Sequence, residues 1–361
     1  MSHSKGQLLA LVEANPFITQ QALGEALGLS RSAVAGHLAQ LVREGRILGR
    51  AYVLPSRQPI VCIGGTNLDR KLRAQESLRM GSSNPAQQVE TAGGVGRNIA
   101  ESLARLGLPV HFLTAIGRDA AGQSLLGQLQ SLGVDCAGCL QAADAPTGSY
   151  TAVLDAQGDL VLAMADMALT DRLDPDFIRR CAPQRAAARW VVADLNLPAA
   201  TLDLLRQEAM ERDQSLVVVA VSAPKMRRLG ASLEGIELLV LNRAELAALM
   251  GHALEDAASL DTAWQALRAR GLRRLVMSDG AQGLRFSAGD TMQALPAPRM
   301  ARGRRLEVTG AGDALSAGLV AGLHRNAEDL PAACRLGLSL AALTLQTDAT
   351  VSPDLTPALL G

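Results

Sequence analysis

Aromatic side chains are nearly missing from this sequence: Phe, Tyr and Trp together make up 2% of its 361 residues. Since 48% of the chain is still hydrophobic, its core must be built from Leu, Val and Ala, and there is ample material to fold. Cysteine is sparse as well. Five of them, an odd number scattered along the chain, argue against a disulfide framework. Cys136-Ala137-Gly138-Cys139 is a lone C-x-x-C with no second pair and no nearby His. Chance placement in a reducing cytoplasm fits it better than a redox or zinc role. Net charge is zero, so the chain as a whole gives no sign of a nucleic-acid or membrane partner. No signal peptide opens the sequence, and no apolar run reaches the roughly 20 residues of a membrane span. A cytoplasmic protein is expected. The pattern G-x-x-x-x-G-K-[ST] does not occur, which excludes a Walker P-loop. The length suits one large domain and one small one.

The most informative stretch is Glu307-Val308-Thr309-Gly310-Ala311-Gly312-Asp313, which follows a segment rich in Arg and Gly (302–305) and runs into an apolar helical pattern. Glycines at a helix start let backbone N–H groups point at an incoming anion, and the helix dipole adds positive charge there. A carboxylate at Asp313 is unhelpful for binding an anion but sensible for chemistry. It can take a proton from an alcohol while the N–H groups of Ala311, Gly312 and Asp313 hold a transferring phosphoryl group. Taken alone, the stretch is equally well a glycine loop with a capping Asp.

A second stretch, Gly93-Gly94-Val95-Gly96-Arg97-Asn98-Ile99-Ala100, leads into a helix ending near Gly107. The two stretches in this order resemble the two signatures of the ribokinase/PfkB family of carbohydrate and nucleoside kinases. The resemblance implies a ribokinase-like α/β fold, with a central mostly parallel sheet flanked by helices and a small β lid. Alternating strands and helices between residues 60 and 350 agree with that architecture. Ser83-Asn84-Pro85, Gly122-Gln123-Ser124-Leu125-Leu126 and Ala165-Asp166-Met167 look most like the pseudouridine kinase branch. The expected reaction is transfer of the γ-phosphoryl of ATP, with Mg²⁺, to the ribose 5′-hydroxyl of pseudouridine. Another nucleoside or ribose remains open, as does a regulator that only senses a nucleoside.

Site residues carry over position by position. Asn67 and Asp69, two apart at a strand end, suit vicinal hydroxyls or an Asx turn; the family holds its sugar there. Gly94, Asn98 and Asn196 fall where relatives contact the sugar. Asp166 ends the expected lid hairpin of about 148–166, where it would touch substrate or cap a turn. Asn242 and Glu245 match the family's N-x-x-E motif, whose Glu organises Mg²⁺ through water, although the pattern also describes a helix cap. Ser278, Gly280 and Gly283 match a loop that holds nucleotide phosphates, where Asp279 would be unfavourable unless turned away. Glu307 and Thr309 stand where relatives bind a monovalent cation, implying potassium. The chain departs from the family at Val95, where many members have Lys, and at Val219-Ala220, where Asp-Pro is common. The resemblance also implies a homodimer joined through the lid.

Residues 1–54 read as a separate unit, 55–59 as a linker and 60–361 as the kinase domain. A helix broken at Asn15-Pro16 is followed by a second capped by Thr19 and closed at Gly28. A third, capped by Ser30, runs to Glu44, and residues 45–54 read as a β-hairpin wing. This resembles the winged helix-turn-helix of bacterial regulators. Six basic residues (Lys5, Arg31, Arg43, Arg46, Arg50, Arg57) against three acidic ones (Glu13, Glu25, Glu44) give residues 1–58 a charge of +3. Arg31, Ser32 and His37 would face a major groove, with Arg46 and Arg50 on phosphates. The alternative is a small helical packing or dimerisation module with solvated arginines.

Overall fold

The computed structural model describes residues 3–48, 58–212, 214–298 and 309–361. Three helices come first: α1 (His3–Ala14), α2 (Gln20–Leu27) and α3 (Arg31–Arg43). The hydroxyls of Thr19 and Ser30 cap α2 and α3 by accepting from the N–H groups of Ala22 and Ala33, and Gly28 closes α2 in the left-handed conformation. Leu8, Val12, Leu23, Val34, Leu38, Leu41 and Ile47 form a core of their own. Lys5 is buried in an ion pair with Glu44, so one of the unit's basic charges is spent internally. Residues 45–48 form no strand, and the rest of the expected wing, with Arg50, lies outside the described residues.

The remaining chain alternates strands and helices. In sequence its elements begin with β1 (Ile60–Ile63), β2 (Asn67–Ala74), β3 (Ala86–Gly93), α4 (Val95–Arg105), β4 (Val110–Leu113), β5 (Ala115–Gly117) and α5 (Ala120–Ser131). Next come β6 (Leu140–Ala142), β7 (Ser149–Leu154), β8 (Leu160–Asp166), α6 (Pro175–Arg180), α7 (Ala182–Arg185), β9 (Trp190–Asp194), α8 (Ala199–Arg212) and β10 (Ser215–Val219). The chain closes with β11 (Ile236–Asn242), α9 (Arg243–Met250), α10 (Ala257–Ala269), β12 (Leu275–Ser278), β13 (Leu284–Ala288), β14 (Thr291–Leu295), α11 (Ala311–Arg325) and α12 (Leu330–Thr344). The main sheet has the order β14-β13-β12-β11-β10-β9-β1-β4, parallel from β12 to β4, with β13 and β14 antiparallel at one edge. Continuous apolar runs such as Ile60–Ile63 and Trp190–Ala193 are buried on both faces, as a sheet covered by helices requires. One apolar layer packs this sheet against α4, α5, α11 and α12, and a second against α6, α8 and α10. Helices α11 and α12 approach closely because Gly318 meets Gly337: a Cβ at Gly318 would stand 2.5 Å from the Gly337 Cα.

The expected lid hairpin of about 148–166 is present as β7 and β8, and it belongs to a four-stranded sheet, β3-β2-β7-β8, in which β2 pairs β7 in parallel. Its first two strands carry charged, weakly alternating sequence and present mostly solvated faces, so no apolar signal marks them. Between residues 110 and 117 the chain makes two strands, β4 and β5. Buried Thr114 separates them by donating its hydroxyl to the Gly64 carbonyl, and β5 leaves the main sheet to pair with β6.

Candidate active site

The site forms where the lid is rooted in the main sheet. From β1 the chain passes Gly64-Gly65-Thr66 into the lid, and from β3 it returns through Gly93-Gly94 into α4. These crossings are so close that a Cβ at Gly94, whose φ is 104°, would lie 2.6 Å from the Thr66 Cα. The buried Asp194 carboxylate ties them together, accepting from the N–H groups of Gly65 (2.8 Å), Gly96 (2.9 Å) and Asn196 (2.8 Å). Burial pushes Asp194 above the usual carboxylate range, and these three donors pull the other way. Sequence reasoning missed this residue because it sits inside the apolar run Trp190–Leu195; a lone Asp in such a run is the one clue.

Asp313 lies in the first turn of α11, behind Gly310 in the left-handed conformation (φ 86°). The first intrahelical bond is from Ala314 N–H to the Gly310 carbonyl. The N–H groups of Ala311, Gly312 and Asp313 therefore precede it, and they find no acceptor among the described residues. Asn98, in the first turn of α4, donates Nδ2 to Asp313 Oδ2 at 2.8 Å. The amide is fixed from behind: Arg97 donates to Asn98 Oδ1 at 3.0 Å and is itself buried in an ion pair with Glu101. Asp313 is pushed up to about 7 chiefly by desolvation, opposed by the Asn98 bond and reinforced by the charges of Asp194 and Asp69. A base with such a value is poised for use near neutral pH.

The other expected residues fall into groups. Asn67 donates to Asp69 at the start of β2, and Asp69 is raised by burial. Nearby, the buried Thr66 Oγ1 has no partner among the described residues. Asn196 is buried beside Gly65. Asp166 ends β8 opposite Ser149, exposed at the root of the lid and without a side-chain partner among the described residues. Asn242 and Ser278 stand in register at the ends of neighbouring β11 and β12. Asn242 and Glu245 form a capping box: Glu245 Oε2 accepts from Asn242 N–H (2.8 Å), and Asn242 Oδ1 accepts from Glu245 N–H (2.9 Å). Gly280 and Gly283 both have positive φ, and at Gly283 a Cβ would run into the backbone of 295–297. Asp279 is neutralised by a two-pronged pair with Arg243 at 2.9 and 2.7 Å, which holds it below the usual range. Thr309 is described; Glu307 lies outside the described residues. In the N-terminal unit Arg31 and Ser32 are exposed, and His37 and Arg46 are partly buried. Among the described residues no three His, Cys, Asp or Glu converge as a metal cage, and all five cysteines are free.

A carboxylate held by an amide beside a helix start with open N–H groups agrees with a phosphotransferase that uses an alcohol acceptor, the class that the family match shows. The chain belongs to the pfkB family of carbohydrate kinases, whose model matches residues 57–357. Kinases of this family use ATP. Residues 1–47 match the winged helix-turn-helix DNA-binding family. The pseudouridine kinase of Escherichia coli is 34% identical over 301 residues, 82% of this chain and 93% of that protein. The uncharacterized sugar kinase YeiI of the same organism is also 34% identical, over 275 residues, 76% of this chain and 75% of the relative. A carbohydrate kinase structure from Agrobacterium tumefaciens superposes with a TM-score of 0.72 at 32% identity, covering 84% of this chain and 95% of its own. Among the described residues no helix is long and apolar enough to cross a membrane.

Proposed function

We propose that the protein transfers the γ-phosphoryl of MgATP to the ribose 5′-hydroxyl of pseudouridine. The observation that carries the reading is the Asn98–Asp313 hydrogen bond beside the open N–H groups of Ala311, Gly312 and Asp313. Asp313 takes the proton of the 5′-hydroxyl, and the N–H groups receive the charge that builds on the transferring phosphoryl. Asn67, Asp69, Gly94 and Asn196 hold the ribose hydroxyls. Ser278, Gly280 and Gly283 cradle the nucleotide phosphates, and the Arg243–Asp279 pair removes a negative charge that would otherwise repel them. Magnesium generally keeps most of its waters and takes one or two protein carboxylates, which suits Glu245, one of whose oxygens is committed to its helix cap. Bound with ATP, the ion would neutralise phosphate charge. The choice of pseudouridine rests on the branch resemblance and on the 34% identity to a pseudouridine kinase, matched by that to YeiI.

The test is ADP release from MgATP with pseudouridine, uridine, inosine, adenosine, cytidine and ribose, each with and without potassium. The expected result is a kcat/KM for pseudouridine well above the others. A higher value for another nucleoside or for ribose discards the branch and keeps the kinase.

A second reading is favoured by the helix-turn-helix match: the kinase also binds DNA through a unit of residues 1–54, joined by the linker 55–59. Arg31→Ala with Arg46→Ala is expected to weaken DNA binding by about 10-fold or more and flatten its salt dependence, with nucleoside turnover unchanged. Fluorescence anisotropy on genomic fragments reads the first effect; unchanged binding rejects these contacts. We also infer a homodimer clasped through the lid, whose edge strand β8 exposes Leu160, Val161, Leu162 and Met164. Sedimentation equilibrium reads it directly.

A further inference from the structure

Lys225 is a half-buried cation that the reaction described above does not use. It lies on the short turn Ala223–Arg228 after β10, held by burial of Met226 and by its own N–H bonded to the Ser222 carbonyl. Its ammonium donates to Asn196 Oδ1 and, among the described residues, has no carboxylate within ion-pair distance and no second acceptor. An ammonium carries three N–H donors, so part of its capacity is unused among the described residues. The same bond fixes the Asn196 amide: its oxygen is taken by Lys225, and its Nδ2 turns toward Gly65, 2.6 Å from where a Cβ would stand. Arg228 secures the arrangement from beneath by donating to the carbonyls of Asn196 and Leu197 and to Asp171.

The position along the cleft decides what Lys225 meets. Asn98, which donates to Asp313, follows Gly96 by two residues in α4; the Gly96 N–H donates to one oxygen of Asp194, and the N–H of Asn196, whose side chain accepts from Lys225, donates to the other. Hydrogen bonds thus link Asp313, at one end of this chain of contacts, through Asp194 to Lys225 at the other. A nucleoside whose 5′-hydroxyl reaches Asp313 and whose hydroxyls rest on the Gly65–Gly94 floor directs its base to the Lys225 end. There the cations Lys225 and Arg228 are offset by Asp194 and Asp171, so the end as a whole carries no excess positive charge for an anion. It offers donors, and a neutral ring carbonyl is the acceptor that suits them.

We propose that Lys225 reads the base, donating its ammonium to a ring carbonyl of the nucleoside beside the Asn196 amide. This rests on the nucleoside kinase reading and adds to it the determinant of base choice. The test compares pseudouridine with C-ribosylbenzene, which keeps the carbon–carbon glycosidic bond and the ring but has no carbonyl, in wild-type protein and Lys225→Met. In wild type kcat/KM should favour pseudouridine by roughly 30-fold or more, because a site built to donate rejects an analogue that cannot accept. Lys225→Met should lower kcat/KM for pseudouridine by about 10- to 100-fold and change that for C-ribosylbenzene by less than about threefold, a non-additive cycle between side chain and carbonyl. Retained turnover of C-ribosylbenzene shows that the variant is folded. Equal losses on both substrates, no loss on pseudouridine, or a rise confined to the KM for MgATP each overturns the assignment. A wild-type protein that phosphorylates only free sugars overturns the nucleoside reading itself, and this proposal with it. Wild-type turnover of nucleosides with an insensitive Lys225→Met removes this proposal alone.

Discussion

Asp313→Asn is expected to lower kcat by about 10²- to 10⁴-fold, the range over which a positioned general base contributes. KM for both substrates should move little, because the amide keeps the shape of the carboxylate and can still accept from Asn98. The wild-type pH profile should carry the same signature. Raised from 3.8 to about 7, Asp313 is protonated and idle on the acid side, so kcat/KM rises with pH through a midpoint near neutrality. The variant should lose that limb. Stability moves in the opposite direction. A carboxyl whose folded pKa exceeds its unfolded one favours folding below its unfolded value, and this advantage is lost as pH rises through the folded value. At pH 8 the wild type holds an ionised Asp313 against Asp194 and Asp69, a strain the neutral amide removes. Asp313→Asn should therefore melt higher at pH 8, by about 2 °C for roughly 1 kcal/mol after solvent screening in an open cleft is allowed for. The two proteins should melt alike at pH 3. A variant that retains wild-type kcat removes Asp313 from the mechanism, whatever its melting temperature does.

The parts of this site that could be read in the sequence are those where backbone geometry leaves no choice. Gly310 and Gly94 sit at φ 86° and 104°, and each has backbone pressed against the position of a Cβ, so both positions require glycine, and the two glycine stretches together carried the family resemblance. Helix starts were legible from local chemistry: Thr19 and Ser30 each accept from an N–H three residues on. What stayed hidden depends on contacts between distant segments. Asp194 reads as an interruption in a strand until Gly65 and Gly96 are brought to it from 129 and 98 residues away. Asp279 looks misplaced beside phosphates until Arg243 reaches it across neighbouring strand ends. The lid strands β2 and β3 show why a period-2 pattern fails: a small sheet with solvated faces has little apolar surface to alternate. The N-x-x-E segment is a helix cap in its geometry, and its family role rests on where that cap stands, opposite Ser278.

Gly310→Ala should be the most damaging single methyl in the protein, and Gly312→Ala two residues away the informative control. At Gly310 the added Cβ meets two obstacles at once. The left-handed backbone costs an alanine about 1–2 kcal/mol, and the methyl would overlap the backbone of Thr350, its Cα only 3.0 Å away. Thr350 cannot simply retreat, because its hydroxyl is bonded to the Ala92 carbonyl at 2.8 Å, one residue before β3 ends at Gly93. Relief must come from α11 itself, whose first turn would tilt and carry the N–H groups of Ala311, Gly312 and Asp313 off their common aim. Loss of one anion-hole donor costs about 10²- to 10³-fold, so misaligning several should cost at least that much in kcat, with a fall of several degrees in Tm. Gly312 has ordinary helical φ, and a Cβ there meets nothing within 4 Å. Gly312→Ala should therefore melt like wild type yet lose kcat, because its methyl projects into the open space over the helix start where the phosphoryl group passes. Paired melting curves and kcat values for the two variants separate a collapsed anion hole from an obstructed one. Equal Tm for Gly310→Ala and wild type would mean that the Thr350 loop yields, and the rigid clamp assigned to it would be wrong.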